Sequence, residues 1–287
     1  MSSWHPPLDA SLPSAGPALA LNCGVVFGLL SATALYARGT LRVWRRSGQF
    51  QGIRLWQVNC YGAAVVTLLL TLVSPLDPLS DRLFVAHMAQ HELLMLVAAP
   101  LLVAGRPLVP MLWALPRASR ETLGQWLGRP LPRRAWRALS HPLLVLVVQA
   151  LVIWLWHIPA WFQAALANEW LHAVQHAMFF GVASLFWWSL IHGRYGRSGY
   201  GVSVIFVFAT AVHTSILGAA LALAQRVWYP QQTSPVAPFA LTPLEDQALA
   251  GLFMWVPSGF IFVGIGLALC AAWLGEAARR HRTPRGS

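Results

Sequence analysis

Residues Phe84–Gly105, FVAHMAQHELLMLVAAPLLVAG, decide how the rest of the chain is read. The run is apolar over about the length a helix needs to cross a bilayer. Near its start, however, it carries His87, Gln90, His91 and Glu92. On a helix His87, His91 and Met95 fall at i, i+4 and i+8, one above another on a single face. Two imidazoles one turn apart, roughly 6 Å along the axis, can close on one metal ion, and a thioether one turn deeper softens that face. Glu92 has no evident reason to lie in lipid unless it is paired or protonated. Ionisable groups inside a span are expensive and by default mark function. The competing reading is interhelical hydrogen bonding, because intramembrane polar residues also hold helices together.

The rest of the chain resembles this stretch in character. Of 287 residues, 57% are hydrophobic and 10% charged, where a soluble globular chain carries about 25% charged residues. The sequence is that of an integral membrane protein. Seven apolar runs of spanning length are expected: Ala18–Ala37, Trp56–Ser74, Leu83–Ala104, Pro142–Ala164, Leu171–Ile191, Tyr200–Ala224 and Gln247–Leu274. The fold expected is an all-α seven-transmembrane-helix bundle over residues 18–275. A short outer N-terminal segment (1–17) precedes it and a basic tail (276–287) follows. Met1 to Pro17 has no basic start and does not read as a cleaved signal peptide.

Orientation comes from arginine. The net charge of +11 rests on 20 arginines and no lysine. One set of connections holds Arg38, Arg42, Arg45, Arg46 and Arg54; then Arg106, Arg117, Arg120, Arg129, Arg133, Arg134 and Arg137. Arg194 and Arg197 follow, and the tail adds Arg279, Arg280, Arg282 and Arg285. The opposite connections hold Arg82 and Arg226. The positive-inside rule makes the first set cytoplasmic, with the N-terminus outside and the C-terminus inside. Anionic lipid head groups account for the basic loops without nucleic acid. The long connection Gly105–His141 is expected to contain an interfacial helix around Pro116–Leu127. Cys23, Cys60 and Cys270 lie in separate apolar runs, which suits neither a disulfide framework nor a thiolate metal clasp.

With that orientation the polar residues collect at one level. Span five opens with a second i, i+4 pair, His172 and His176, followed by Met178. Span four ends at Trp156-His157-Ile158-Pro159, and span six carries His213 near its middle. Span seven begins with Glu245-Asp246-Gln247, reaches Met254 two turns down, and meets Pro257, which frees the Phe253 carbonyl. Six of the ten histidines thus sit in the outer half of four helices. His141, His192 and His281 lie at cytoplasmic ends and read as interfacial anchors. Neutral imidazole with thioether and no thiolate favours copper, Cu(I) especially, while imidazole alone also suits zinc or iron. Met95 and Met254 are candidate ligands, though methionine in an apolar helix commonly just packs. Pairs four apart cannot stack two haems as b-type cytochromes do, though one haem between two helices stays open. A zinc protease would need H-E-x-x-H, and here the glutamate follows the second histidine.

The runs His87-Met88-Ala89-Gln90-His91 with Leu93-Leu94-Met95, and Ala99-Pro100-Leu101-Leu102 to Gly105-Arg106-Pro107, carry a resemblance. So do Trp156-His157-Ile158-Pro159, His172-Ala173-Val174-Gln175-His176, and Asp246-Gln247 with Gly251 and Met254-Trp255-Val256-Pro257. In this order, over roughly residues 55–275, they resemble the multi-span CtaG family of cytochrome c oxidase assembly factors. The resemblance implies a seven-span, non-enzymatic protein of the bacterial inner membrane that helps copper reach a haem–copper oxidase. Its partners would be oxidase subunits, membrane lipids and other copper chaperones. The expected metal residues are His87, His91, His172 and His176, with His157, His213 and Met254 near them. Glu92 is expected as a hydrogen-bonding partner of a ligand histidine, and Asp246 as a carboxylate that attracts or relays the cation; as a helix N-terminal acid it could equally serve the dipole. The alternative is a membrane metalloenzyme or haem-binding redox protein using the same histidines.

Overall fold

A computed structural model describes residues 15–193, 199–230 and 241–282, with side chains from 19 to 275. The expected outer segment 1–17, Arg194, Arg197 and the tail arginines therefore fall wholly or largely outside the described side chains. The described residues contain helices and no strand. They run α1 (Ala15–Ser47), α2 (Leu55–Leu72), α3 (Leu76–Ser80), α4 (Phe84–Glu92), a π-helical segment (Leu93–Ala98) and α5 (Ala99–Ala104). Then come α6 (Leu108–Ala114), α7 (Arg117–Gly128), α8 (Pro130–Leu139), α9 (Pro142–Trp156), α10 (Pro159–Leu166), α11 (Glu169–His192), α12 (Gly199–Ala222) and α13 (Pro243–Arg282). Six helices are long and apolar enough to cross a membrane, and α8 with α9 would make a seventh, bent by 59°. This is a multi-pass membrane protein.

Two expectations need correction. Span four, expected as one run over Pro142–Ala164, stops at Trp156 and restarts as α10. Pro159 supplies the reason: it disfavours helical backbone at the residue before it, and Ile158 is extended at φ −64°, ψ 127°. Proline is then well placed in the first turn of the new helix. The second correction concerns Phe84–Gly105, where α4 and α5 are joined through the π-helical segment Leu93–Ala98. A π turn inserts an extra residue and leaves a carbonyl without its usual partner. Trp187 of α11 reaches across and donates to the Met95 carbonyl at 2.8 Å. The continuous α-helix expected through Met95 is therefore interrupted there. Met95 packs half-buried against both large apolar clusters.

Small residues set the closest helix approaches. A Cβ at Gly251 of α13 would overlap the Ala222 backbone nitrogen, and one at Gly218 of α12 would press on the Gly251 carbonyl. The long α12–α13 contact depends on both. At the other side, a Cβ at Gly39 of α1 would overlap the Pro110 carbonyl, so Gly39 is what seats α6 on α1. The helix α13 runs on through Pro257, and Ser258 beside it donates its hydroxyl to the Met254 carbonyl and lies 3.2 Å from that of Trp255. A helix, α7, stands where the interfacial helix was expected, and a further short helix, α8, follows it that the sequence had not suggested. Both are without buried residues.

Candidate metal centre

Three elements deliver five histidines to one place. His87 and His91 come from α4, His172 and His176 from α11, and His157 from the end of α9. The starts of α11 and α4 are fixed in different ways. The α11 start is capped by Asn168, whose side-chain oxygen accepts from the Trp170 and Leu171 N–H groups at 3.0 Å each. No neighbouring side chain caps α4, where Leu83 is extended. Its first N–H groups are instead taken by Asp246 of α13, which accepts from Phe84 at 2.7 Å and from Val85 at 3.0 Å. A carboxylate in that position also suits the positive end of the helix. On the opposite face Gln90 donates to the Thr71 carbonyl at 2.6 Å and to Asp77 at 3.1 Å, which sets the rotation of α4.

The imidazoles touch one another. Ring centroids are 4.5 Å apart for His87–His91, 4.3 Å for His172–His176, 5.1 Å for His87–His172 and 5.2 Å for His91–His176. His157 joins through His91 at 6.4 Å. One ring nitrogen each from His87, His172 and His176 lies within 4.8 Å of the others. The two pairs thus face each other across the α4–α11 contact, as one shared site requires. Two nitrogens bound to one ion at bonds of about 2 Å can be no more than about 4 Å apart. The rings of His87, His172 and His176 would close by under about 1 Å to hold it, and His91 lies outside that group of three.

Hydrogen bonding is where this cluster departs from ordinary core packing. All five rings are buried. His157 donates Nδ1–H to the Ile153 carbonyl at 2.7 Å, the only role that partner allows, so its Nε2 carries the lone pair. That Nε2 has no partner, nor has Nε2 of His172 or His176, nor either ring nitrogen of His91, while the His87 ring is approached by the Ser80 backbone on one side. Buried polar atoms are nearly always satisfied, and a group of unsatisfied ones calls for an ion or water. A backbone carbonyl holding one imidazole nitrogen while the other is free is the arrangement metal-ligating histidines adopt. Aromatic rings close the site against water. Phe162 stands 5.0 Å from His87, and Phe179 stands 4.6 Å from His91. Tyr229 packs on Phe162 at 4.5 Å and donates its hydroxyl to the His157 carbonyl at 2.6 Å.

The remaining expected site residues are placed differently. His213 is half-buried on α12, and among the described residues no ring contact joins it to the five. Met254 is buried in the apolar cluster with Phe84, Met88 and Phe179. Glu92 makes no hydrogen bond to a histidine; its Oε2 is buried without a partner. It follows His91 by one residue, about 100° round the helix, which turns it off the histidine face. Asp246 is 4% exposed and occupied with the α4 backbone rather than open at a mouth. Carboxylates do gather on the connection before α4: Asp77, Asp81 and the α11 residue Glu169. Desolvation pushes Asp81 up to about 6, helped by repulsion from Asp77 and Glu169 and opposed by Arg82.

Sequence reading missed Tyr229, Gln247 and Gln175. Gln247 accepts from the Trp228 N–H at 2.7 Å and donates to the Arg226 carbonyl at 3.2 Å, fixing the loop that carries Tyr229. The Asp246-Gln247 dipeptide therefore holds α4 with one side chain and, through Tyr229, the His157 corner with the next. Its adjacency was the available signal. Gln175, between the α11 histidines, is fully buried with both amide atoms unpartnered.

Among curated proteins the chain is 25% identical over 252 residues to uncharacterised proteins of Mycobacterium bovis and Mycobacterium tuberculosis, covering 85% of this chain and 37% of each relative. It is 25% identical over 267 residues to one of Mycobacterium leprae, covering 88% of this chain and 39% of that protein. The chain thus spans under two fifths of the length of the curated relatives it matches. No solved structure matches it significantly. Residues 34–276 match the model of the cytochrome c oxidase caa3 assembly factor family, Caa3_CtaG, and the chain belongs to that family.

Proposed function

We propose that the protein is a non-enzymatic assembly factor of the bacterial plasma membrane that binds copper and aids its delivery to a haem–copper cytochrome c oxidase. His87, His91, His172 and His176 are the principal ligands, and His157 Nε2 completes or exchanges with that set. Met254, Met95 and His213 serve at most as an outer reserve. The observation that carries this reading is the set of buried, unpartnered imidazole nitrogens converging from three elements. Such a set is costly without an ion and competent with one. Copper is favoured over zinc or iron because the family assembles cytochrome c oxidase, whose haem–copper type needs that metal. The aromatic enclosure keeps the ion from water, which suits safe handling of Cu(I).

Purified protein is expected to carry copper at about one ion per chain and to show no Soret band. Metal analysis together with an absorption spectrum checks both. Zinc or iron in place of copper, or a Soret band, would overturn the reading in favour of a metalloenzyme or haem protein.

The proposal also fixes direction. The histidine ends of α4, α9 and α11 face outward and the arginine-rich connections face the cytoplasm. Reporter fusions after Gly48, Asp77 and Arg129 should read inside, outside and inside. An outside reading at Arg129 defeats the orientation, since seven arginines of that connection would then have been carried across.

A further inference from the structure

At the end of the bundle away from the histidines, α1, α6 and α7 line an open recess of about 310 Å³. Arg42, Arg45 and Arg46 of α1 line it together with Arg117 and Arg120 of α7, around Trp113 of α6. No carboxylate among the described residues lines it. Among the described residues these arginines have a single acidic partner, Glu121, which pairs with Arg117 at 2.7 Å on the exposed face of α7. Like charges crowded into one recess repel, and an anion in it removes that repulsion.

The recess is built rather than incidental. The bare Gly39 lets the Pro110 carbonyl sit against α1, and Arg42 then fastens the end of α6. Its guanidinium donates to the carbonyls of Trp113 at 3.1 Å, Ala114 at 2.7 Å and Leu115 at 3.1 Å. Arg120 lies over the Trp113 ring at 4.2 Å and Arg46 at 5.6 Å. Stacking through the ring face holds a guanidinium in place while leaving its N–H edge free for a phosphate.

We propose that this recess binds the phosphate of an anionic phospholipid. The shared ligand chemistry is a phosphate group, which a soluble ion could also supply. The surroundings favour the lipid. Leu41 of α1 is 50% exposed, and Leu108 of α6 is 55% exposed, so the same two helices offer apolar surface for acyl chains. The long apolar run of α1 gives way to arginines at this level, where lipid phosphates lie. Basic recesses between transmembrane helices are known head-group sites. The next helix in the chain, α8, exposes Leu131 and Trp136, apolar side chains of the kind that meet lipid.

The test uses the full chain, purified and stripped of lipid in a neutral detergent. Dioleoyl phosphatidylglycerol, dioleoyl phosphatidylcholine and inorganic phosphate are titrated separately by native mass spectrometry. Phosphatidylglycerol is expected to bind in preference to phosphatidylcholine. Arg45→Gln and Arg120→Gln should each weaken it roughly fivefold, and the double variant by more. Arg134→Gln, on α8 outside the recess, is the control and should match the parent. Elution volume and helicity report that each variant is folded. Equal binding of the two lipids, or recess variants that behave like Arg134→Gln, overturns the site. Inorganic phosphate binding with the same arginine dependence while phosphatidylglycerol fails to bind makes the ligand a soluble anion and overturns the lipid.

Discussion

His91→Ala and His176→Ala are each expected to lower copper affinity by more than about 100-fold while leaving the protein folded and inserted. Substitutions of residues that merely orient a ligand already cost 10–100-fold, and these residues are the ligands. The stability side follows from what the rings do at present. His91 has no hydrogen bond through either nitrogen, and His176 has none through Nε2. Alanine therefore removes few contacts of that kind, and it relieves at least one buried unsatisfied atom at each site. A small cavity offsets part of this gain, so abundance in the membrane should stay near the parental level. Oxidase activity, normalised to that abundance, should fall in a host that depends on this protein. Added copper should restore it in part if the role is delivery. The control is His141→Ala, exposed at the arginine end. If the two cluster variants equal His141→Ala on the normalised scale and retain their copper, the cluster is a packing feature and the copper reading fails.

The histidine pairs were legible because i, i+4 spacing in an apolar run is a local signal that a helix turns directly into geometry. Their meeting followed from two helices entering the membrane in the same sense. His157 was legible for the same reason, since a helix stopping just before Pro159 delivers its last turn to the same level. What escaped the sequence is of another kind. The π turn at Leu93–Ala98 leaves no composition signal, and it interrupts the α-helical register from which Met95 was placed below His91. His213 shares the level of the cluster but sits on α12, which packs chiefly on α13 and α9, and depth alone cannot distinguish faces. Glu92 was read from its neighbour in sequence, yet adjacent residues on a helix point apart. Asp246 was read as a carboxylate drawing the cation or serving the start of its own helix, because the two N–H groups it holds lie more than 160 residues earlier. Polar residues near a helix start invite a local reading, and here the N–H groups served belong to a different helix.

Asp246→Ala is expected to produce the largest loss outside the histidines, and by a different route. The side chain is buried and accepts from the Phe84 and Val85 N–H groups at the start of α4. Alanine leaves both donors with no partner, and burial keeps water from replacing the carboxylate. At about 1–3 kcal/mol for each orphaned donor, a loss of about 3 kcal/mol is expected, with the helix-dipole contribution added to it. Asparagine keeps one acceptor oxygen but presents an NH₂ group to the other donor, so Asp246→Asn should fall between alanine and the parent. Three measurements should then follow one order, parent above Asn above Ala: thermal stability of the metal-free protein, hydrogen-exchange protection over residues 84–92, and copper affinity. They are coupled because the first turn of α4 carries His87, whose position relative to His172 and His176 makes the site. A carboxylate that only drew cations inward would give a different pattern. Stability and exchange would stay parental, while Asn and Ala would slow copper uptake equally. Loss of uptake without loss of α4 protection would therefore return Asp246 to the cation's path and remove it from the scaffold.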